Sequence, residues 1–398
     1  MTWFAIMLAC AGIPVLAASL YLFGLTLLAR TTGRPLLPVV LMRRRFVIVV
    51  PAHNEAAGLG RTLTELERLT WRRDLWRVVV VADNCTDDTA GVAARHGAAV
   101  IVRDDPTRRG KGFALDYAFR SLLNEPTSSW HAAVVVDADT IVAPNLLEAC
   151  SAQFNAGARA VQAAYLAFPG TGPLSVITQV ALTAIHVVRS TARERLGLSA
   201  GLRGNGMAFT RLLLSSTPHA AYTRTEDLEF GVQLALKGVR VAFAGDTAVW
   251  GEMPTSASVA THQRERWIGG RMEISRRYLR RLLRSAFRKR SMMMADVAVD
   301  LMVPPISVLA IAIAGGVVLS AGALFAGQWV ALAVWGTALF ALAGHVLDAA
   351  QRANRLGDLL SLVGAVPAYA FDKLKITLRA PAQFGGVWVR TARQGEAA

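Results

Sequence analysis

Three short apolar runs each end on a polar cluster, and this pattern limits the folds open to the chain. FVIVVP (46–51) runs into His53-Asn54-Glu55, RVVVVA (77–82) into Asp83-Asn84, and AAVVV (132–136) into Asp137-Ala138-Asp139. Unbroken β-branched runs of this length predict strands buried on both faces. Between them lie helical patterns. Leu59, Leu63, Leu66 and Leu69 share one face, DDTAGVAARHG stops at Gly97, and KGFALDYAFRSLL (111–123) is amphipathic. A further short strand is expected at 99–102. Strands alternating with helices predict an α/β fold with a mainly parallel sheet, in which function collects at the carboxyl ends of the strands. No G-x-G-x-x-G follows the first strand, and Gly110-Lys111-Gly112 lacks the spacing of a P-loop. Nicotinamide-dependent and P-loop ATPase functions are therefore excluded as readings.

The rest of the chain is too apolar for a purely soluble protein, with a mean hydropathy of +0.37. Residues 3–29 carry no charge and are long enough to span a bilayer, which predicts an N-terminal transmembrane helix within 1–30. A signal peptide would need a basic start, which is missing. Arg30, Arg34 and Arg43 to Arg45 follow the run, so the positive-inside rule places the next segment in the cytoplasm. Two more uncharged runs, 301–326 and 329–347, predict a transmembrane hairpin within 299–348, with Arg352 and Arg355 after it. The run at 359–371 is shorter and holds Pro367; within 356–398 it reads as a re-entrant or third membrane segment followed by a tail. The expected location is the inner (plasma) membrane, multi-pass, with the catalytic domain cytoplasmic. Cys10, Cys85 and Cys150 show no paired spacing, in keeping with a reducing compartment around the soluble part.

The net charge of +15 fits nucleic acid, anionic lipid or phosphorylated substrates. Much of it sits in RMEISRRYLRRLLRSAFRKR (271–290), where Ile274, Tyr278, Leu282 and Phe287 recur at roughly helical spacing among arginines. This predicts a basic interfacial helix over 271–293, its cations toward lipid phosphates. A nucleic-acid partner is not expected, because no reader motif or aromatic interleaving accompanies the charge.

Four further segments carry chemistry. Asp137 and Asp139, at i and i+2 past a buried strand, are hard oxygen ligands suited to Mg²⁺ or Mn²⁺ on a diphosphate. In TRTEDLEF, Thr225 can cap a helix whose first turn holds Glu226 and Asp227. Lys111 follows a glycine and offers one cation to phosphate. HQRERW (262–267) crowds Gln263, Arg264 and Arg266 around the Trp267 indole, which raises the question of a phosphate grip. The glycine-rich LSAGLRGNGMAFTR (198–211) is either a wall for an acceptor or a plain loop into a buried strand.

Taken together, PAHNE (51–55), ADNCTDD (82–88), RRGKGFALDYAF (108–119), DAD (137–139), TED (225–227) and QRERW (263–267) make the sequence resemble the family 2 glycosyltransferases, inverting enzymes of the GT-A fold. Within them it looks most like the membrane-bound branch of cellulose, hyaluronan and poly-N-acetylglucosamine synthases. The resemblance implies a GT-A domain over 44–270, a Rossmann-like mixed sheet flanked by transmembrane helices. It implies that Pro51, His53, Asn54, Glu55 and Asp83 cradle the nucleoside of a donor, a UDP-sugar in the first instance, with Lys111 approaching it. Asp137 would hold the ribose region, and with Asp139 the metal diphosphate. Asp227 would be the general base, with Glu226, Gln263, Arg264, Arg266 and Trp267 toward the diphosphate and acceptor. The acceptor would be a glycan or a polyprenyl-linked lipid. The expected reaction is a single displacement giving a β-glycosidic bond in polysaccharide synthesis, and a homo-oligomer is conceivable. Only three membrane runs favour single addition over a processive synthase that also translocates its product. A non-catalytic scaffold would not need the intact DAD, TED and QRERW.

Overall fold

The computed structural model describes residues 2–31, 44–170, 172–252, 257–324, 327–359, 364, 369, 371–372 and 374–376, side chains at 2, 257–260, 262 and 323 excepted. In chain order the elements begin α1 (Thr2–Arg30), β1 (Phe46–Ala52), α2 (Ala56–Leu66), β2 (Trp76–Asp83), α3 (Thr89–Arg95), β3 (Ala99–Arg103), α4 (Lys111–Leu123) and β4 (Ala132–Val135). They continue with β5 (Thr140–Val142), α5 (Leu146–Asn155), β6 (Ala160–Ala167), α6 (Pro173–Leu182), α7 (Arg189–Arg195), β7 (Met207–Thr210), α8 (Arg211–Ser216), α9 (Glu226–Leu236) and β8 (Val241–Gly251). The helices α10 (Ala257–Lys289), α11 (Met292–Met302), α12 (Ile306–Leu324) and α13 (Val330–Arg352) follow.

One eight-stranded sheet runs in the order β3-β2-β1-β4-β7-β6-β8-β5. The half built from β1 to β4 is parallel, as the alternation predicts. Beyond it the sheet is mixed: β7 is antiparallel to both β4 and β6, and β5 to β8. Alternate residues of the buried strands feed two cores. Ile48, Val50, Val78 and Val80 pack with Leu59, Leu63 and Leu66 of α2. Val47, Val49, Val79 and Val81 pack with Leu115 and Phe119 of α4 and Phe230 of α9. Burial on both faces is why these runs read as continuously apolar.

Among the described residues, three helices are long and apolar enough to cross a membrane: Trp3–Arg30, Pro173–Arg195 and Val330–Arg352. A fourth is possible if Met292–Met302 and Ile306–Gly322, bent by 64°, form one span. Two sequence expectations change here. The run 301–326 is not one helix: α11 ends at Met302 and α12 starts at Ile306, because Pro304 and Pro305 lack amide donors and force the preceding residue out of the helix. The Pro173–Arg195 segment was not singled out at all, since His186 and four arginine or glutamate positions near its end hide its hydropathy. It is continuous only through a π-helical turn at Thr183–Val188. The stretch 356–398 lies largely outside the described residues, and so does its expected re-entrant segment.

The basic segment also differs from expectation. It is the second half of α10, a 33-residue helix that begins before QRERW and runs unbroken through 270/271. Ile274, Tyr278 and Leu282 do not face outward. They are buried against Val232 of α9 and Ala298 and Leu301 of α11. Of the four apolar positions only Phe287 stands free, 86% exposed.

A buried ionic cluster joins the apolar helices to the sheet domain. Arg193 of α7 donates to Asp296 of α11 (2.8 Å) and to the Tyr21 hydroxyl of α1 (2.7 Å), which in turn donates to Asp296 (2.7 Å). Asp300 pairs with Arg193 at 2.8 Å and Arg189 at 3.4 Å, and Arg271 of α10 donates to its main-chain oxygen.

Candidate active site

The floor of the site is the row of loops after β1 and β2, and its polar side chains brace one another. Asn54 adopts a left-handed conformation (φ 54°) and its Oδ1 accepts from the amide of Thr86 at 2.7 Å. One ring nitrogen of His53 bonds the main-chain oxygen of Asp83 at 2.7 Å, and the Glu55 amide donates to Thr89 at 2.8 Å. Asp83 is buried with Arg103, which donates to its carboxylate at 2.5 Å. Pro51 closes β1 beside Val81 of β2. Of the five positions expected to cradle a nucleoside, His53, Asn54 and Asp83 thus shape the loops through contacts within the protein.

The charged centre forms where three sequence motifs meet. Lys111, the first residue of α4, ion-pairs with Asp137 at the end of β4 and donates to the Gly204 carbonyl at 2.5 Å, with Glu226 3.9 Å away. The Asp137 amide donates to Asn205, fully buried, whose own amide donates to Thr140 at 2.7 Å. Gln162 of β6 locks the same loop, donating to the Asn205 carbonyl at 2.7 Å and accepting from the Arg203 amide at 2.8 Å. A Cβ at Gly204 would lie 3.3 Å from Asp227 Oδ2 and 3.9 Å from Lys111 Nζ. The glycine-rich stretch is therefore both alternatives at once, a loop into strand β7 and a wall of the charged centre. Asn205 and Arg203 were not picked out by sequence reasoning; the run of glycines around them was the only signal.

Burial governs the electrostatics of the two carboxylates at the start of α9. Burial pushes the Asp227 carboxyl up from its usual range, against the pull of the Leu228 amide, Lys111 and Arg203. Burial and the adjacent Asp227 push Glu226 up to about 7. At this pair desolvation outweighs the pull of the helix N-terminus. Burial also lowers the Lys111 ammonium's preference for its charge, but Asp137 and Glu226 more than offset it and the pKa is raised. Thr225 stands at the N-cap without a side-chain capping bond. Its side chain packs instead against Gly270 of α10, which seats the QRERW helix over this centre.

Helical spacing sorts the QRERW residues. Gln263, Arg266, Trp267 and Gly270 share the face that Gly270 turns to α9. Arg266 acts electrostatically on Glu226 and on Tyr165 of β6. Arg264 does not join them, contrary to expectation: it donates to Thr261 at 3.0 Å, lies over the Tyr369 ring and is 3.9 Å from Asp372. One residue separates Arg264 from the active face, a rotation of about 100° in each step of a helix.

Asp137 and Asp139 present hard oxygens at one strand end. Among the described residues no three His, Cys, Asp or Glu side chains gather to hold a cation. The donor set therefore suits a hard divalent ion that draws its other ligands from phosphate and water, as Mg²⁺ does.

A mixed α/β sheet with a lysine, paired carboxylates and an arginine helix at its strand ends defines a GT-A-like nucleotide-sugar transferase domain. Residues 44–270 match the family described as "Glycosyltransferase like family 2", and the chain belongs to it. It is 28% identical over 243 residues to the β-monoglucosyldiacylglycerol synthase of Synechocystis sp., covering 56% of this chain and 47% of that protein. It is 36% identical over 72 residues to the low-salt glycan biosynthesis hexosyltransferase Agl6 of Haloferax volcanii, 18% of this chain and 17% of the relative. The chain thus spans about half the length of the first of these curated relatives and less of the second. The fold is similar to that of the mannosyltransferase PcManGT from Pyrobaculum calidifontis, solved with GDP-Man and Mn²⁺. The TM-score is 0.59 at 19% identity, over 95% of this chain and 97% of that one.

Proposed function

We propose that this protein is a membrane-anchored glycosyltransferase that moves a hexose from a nucleoside-diphosphate sugar to an acceptor held at the membrane surface. The observation that carries the reading is the meeting of Lys111, Asp137, Glu226 and Asp227 around Gly204, from four separate segments of the chain. Asp139 and Asp137 would hold Mn²⁺ or Mg²⁺, which supplies charge for the departing diphosphate. Lys111 and Arg266 add cations on either side of it. Asp227 takes the proton of the attacking hydroxyl. With one carboxylate in that role and none placed as a nucleophile, the reaction inverts the anomeric centre.

The acceptor is a membrane lipid or a lipid-linked glycan rather than a free polysaccharide chain. Supporting this, α1, α12 and α13 flank the domain, and the Synechocystis relative is named for a diacylglycerol product. UDP is the expected nucleotide, with GDP, held by the Pyrobaculum structure, as the alternative. The domain faces the cytoplasm of a plasma membrane, where nucleotide sugars are made. Purified protein in detergent, given UDP-glucose, UDP-N-acetylglucosamine and GDP-mannose with Mn²⁺, tests the reading. Release of UDP or GDP from one of them is expected, and release from none would overturn it.

A further inference from the structure

Tyr165 lies at the same centre, yet neither the resemblance nor the family match assigns it a role. It sits on β6 opposite Val249 of β8. Its hydroxyl projects over Gly251: a Cβ there would be 2.8 Å from Oη, so only glycine leaves room for the ring. Gly251 pairs across the sheet with Thr140, which directly follows Asp139, so the hydroxyl stands beside the strand that carries the DAD motif. No protein partner consumes this hydroxyl among the bonds the structure records, although its carbonyl and ring are both held.

The holding group is His186, in the π-helical turn between α6 and α7. Its Nδ1 bonds the Tyr165 carbonyl oxygen at 2.8 Å, and the two rings stack at 5.5 Å with an interplanar angle of 15°. A π turn costs hydrogen-bond geometry and tends to occur where a side chain must be aimed. Without the extra residue per turn, His186 would rotate off the strand.

We propose that Tyr165 donates a hydrogen bond to the departing diphosphate and that His186 is its positioning residue. This rests on the glycosyltransferase reading above. As the acceptor oxygen bonds to the anomeric carbon, the carbon–oxygen bond to the diphosphate breaks and its electron pair leaves with the nucleotide. The acceptor proton goes to Asp227, and the charge growing on the phosphate oxygen meets the Tyr165 hydroxyl. A phenol is protonated at neutral pH, so the group is a neutral donor. The hydroxyl lies over Gly251, whose ladder partner is Thr140, the residue that follows Asp139, and this sets it on the diphosphate side rather than the acceptor side.

The test uses the full chain in detergent. Wild type is first titrated with UDP and with GDP in the presence of Mn²⁺; binding of neither would overturn the glycosyltransferase reading and this inference with it. With binding in hand, Tyr165→Phe keeps the ring and removes only the hydroxyl. Turnover is expected to fall by about 10²-fold, the usual worth of one such donor, with the donor KM nearly unchanged. Acceptor-free hydrolysis of the donor should fall by the same factor as transfer, because both need the diphosphate to leave. His186→Phe, which keeps the stack and loses the carbonyl bond, should show a smaller defect of the same kind, partly restored in His186→Gln. Normal turnover by a folded Tyr165→Phe protein, or a loss confined to transfer, would overturn the proposal while leaving the wider reading intact.

Discussion

Thr225 and Gly270 touch so closely that a methyl group on Gly270 would sit 2.5 Å from Thr225 Cγ2 and 2.6 Å from its hydroxyl. This contact fixes the QRERW helix against the N-terminus of α9. Gly270→Ala should therefore lever α10 outward. Overpacking of this kind costs about 1–3 kcal/mol. The expected result is a turnover roughly tenfold lower, because reacting groups lose their alignment, with the UDP or GDP affinity changed less. Steady-state kinetics beside a thermal melt would check both.

The paired carboxylates predict metal dependence. Chelator should abolish donor hydrolysis and Mn²⁺ or Mg²⁺ restore it, and Asp139→Ala should be inactive at any Mn²⁺ concentration that wild type needs. Calorimetric titration of Mn²⁺ with UDP onto the variant would show the same loss without relying on turnover.

The α9 pair sets the pH response. With Glu226 pushed up to about 7 and Asp227 raised beside it, the pair becomes fully ionised only above the ordinary carboxylate range. Turnover should climb along an acidic limb near neutrality, well above the ordinary carboxylate range, and the limb belongs to the pair. Glu226→Gln removes the like charge and should move the limb to lower pH. The stability sign follows too. A raised folded-state pKa means the pair favours folding fully at low pH, and that contribution is lost as pH rises from the unfolded carboxylate range toward 7. Melting temperatures of the wild type and Glu226→Gln across that window would reveal the slope and its removal.

Asp227→Asn keeps the shape of the side chain but cannot accept the acceptor proton. Turnover is expected to drop by roughly 10²–10⁴-fold while nucleotide affinity stays close to wild type. Proton NMR of the wild-type product from an α-linked donor should show a β anomer.

Trp267→Ala should weaken transfer to the acceptor more than it weakens UDP or GDP binding, because its helix face turns toward the charged centre rather than the nucleoside loops. Equal losses of both would place the indole in the donor pocket.

The sequence shows the parallel half of the sheet plainly. Val47 to Val50 and Val78 to Val81 are buried on both faces, so their chemistry is uniform and local. The antiparallel half was less visible: β5 and β7 are three and four residues long, and their pairing depends on distant partners. The same distinction holds at the site. Asp137, Asp139, Asp227 and Lys111 stand beside strand ends or helix starts that local patterns mark. Tyr165 gave no signal, because a tyrosine in a strand is an ordinary core residue until the fold sets its hydroxyl over Gly251, beside the strand that follows Asp139. Arg264 and Arg266 part for a simple reason: a motif names neighbours in sequence, and a helix sends neighbours in different directions. Ile274, Tyr278 and Leu282 looked like a lipid-facing stripe because periodicity records that a face is apolar and not what covers it.

The cluster of Tyr21, Arg189, Arg193, Asp296 and Asp300 makes the apolar helices more than a tether. Asp296 and Asp300 come from α11, after the family-matched residues end at 270. A fragment cut at that boundary would sever α10 mid-helix and leave Arg189 and Arg193 buried without their carboxylates. Uncompensated buried charge is strongly destabilising. Soluble excision of the matched domain is thus the wrong strategy for this protein, and any truncation that is to fold must carry the chain through Met302.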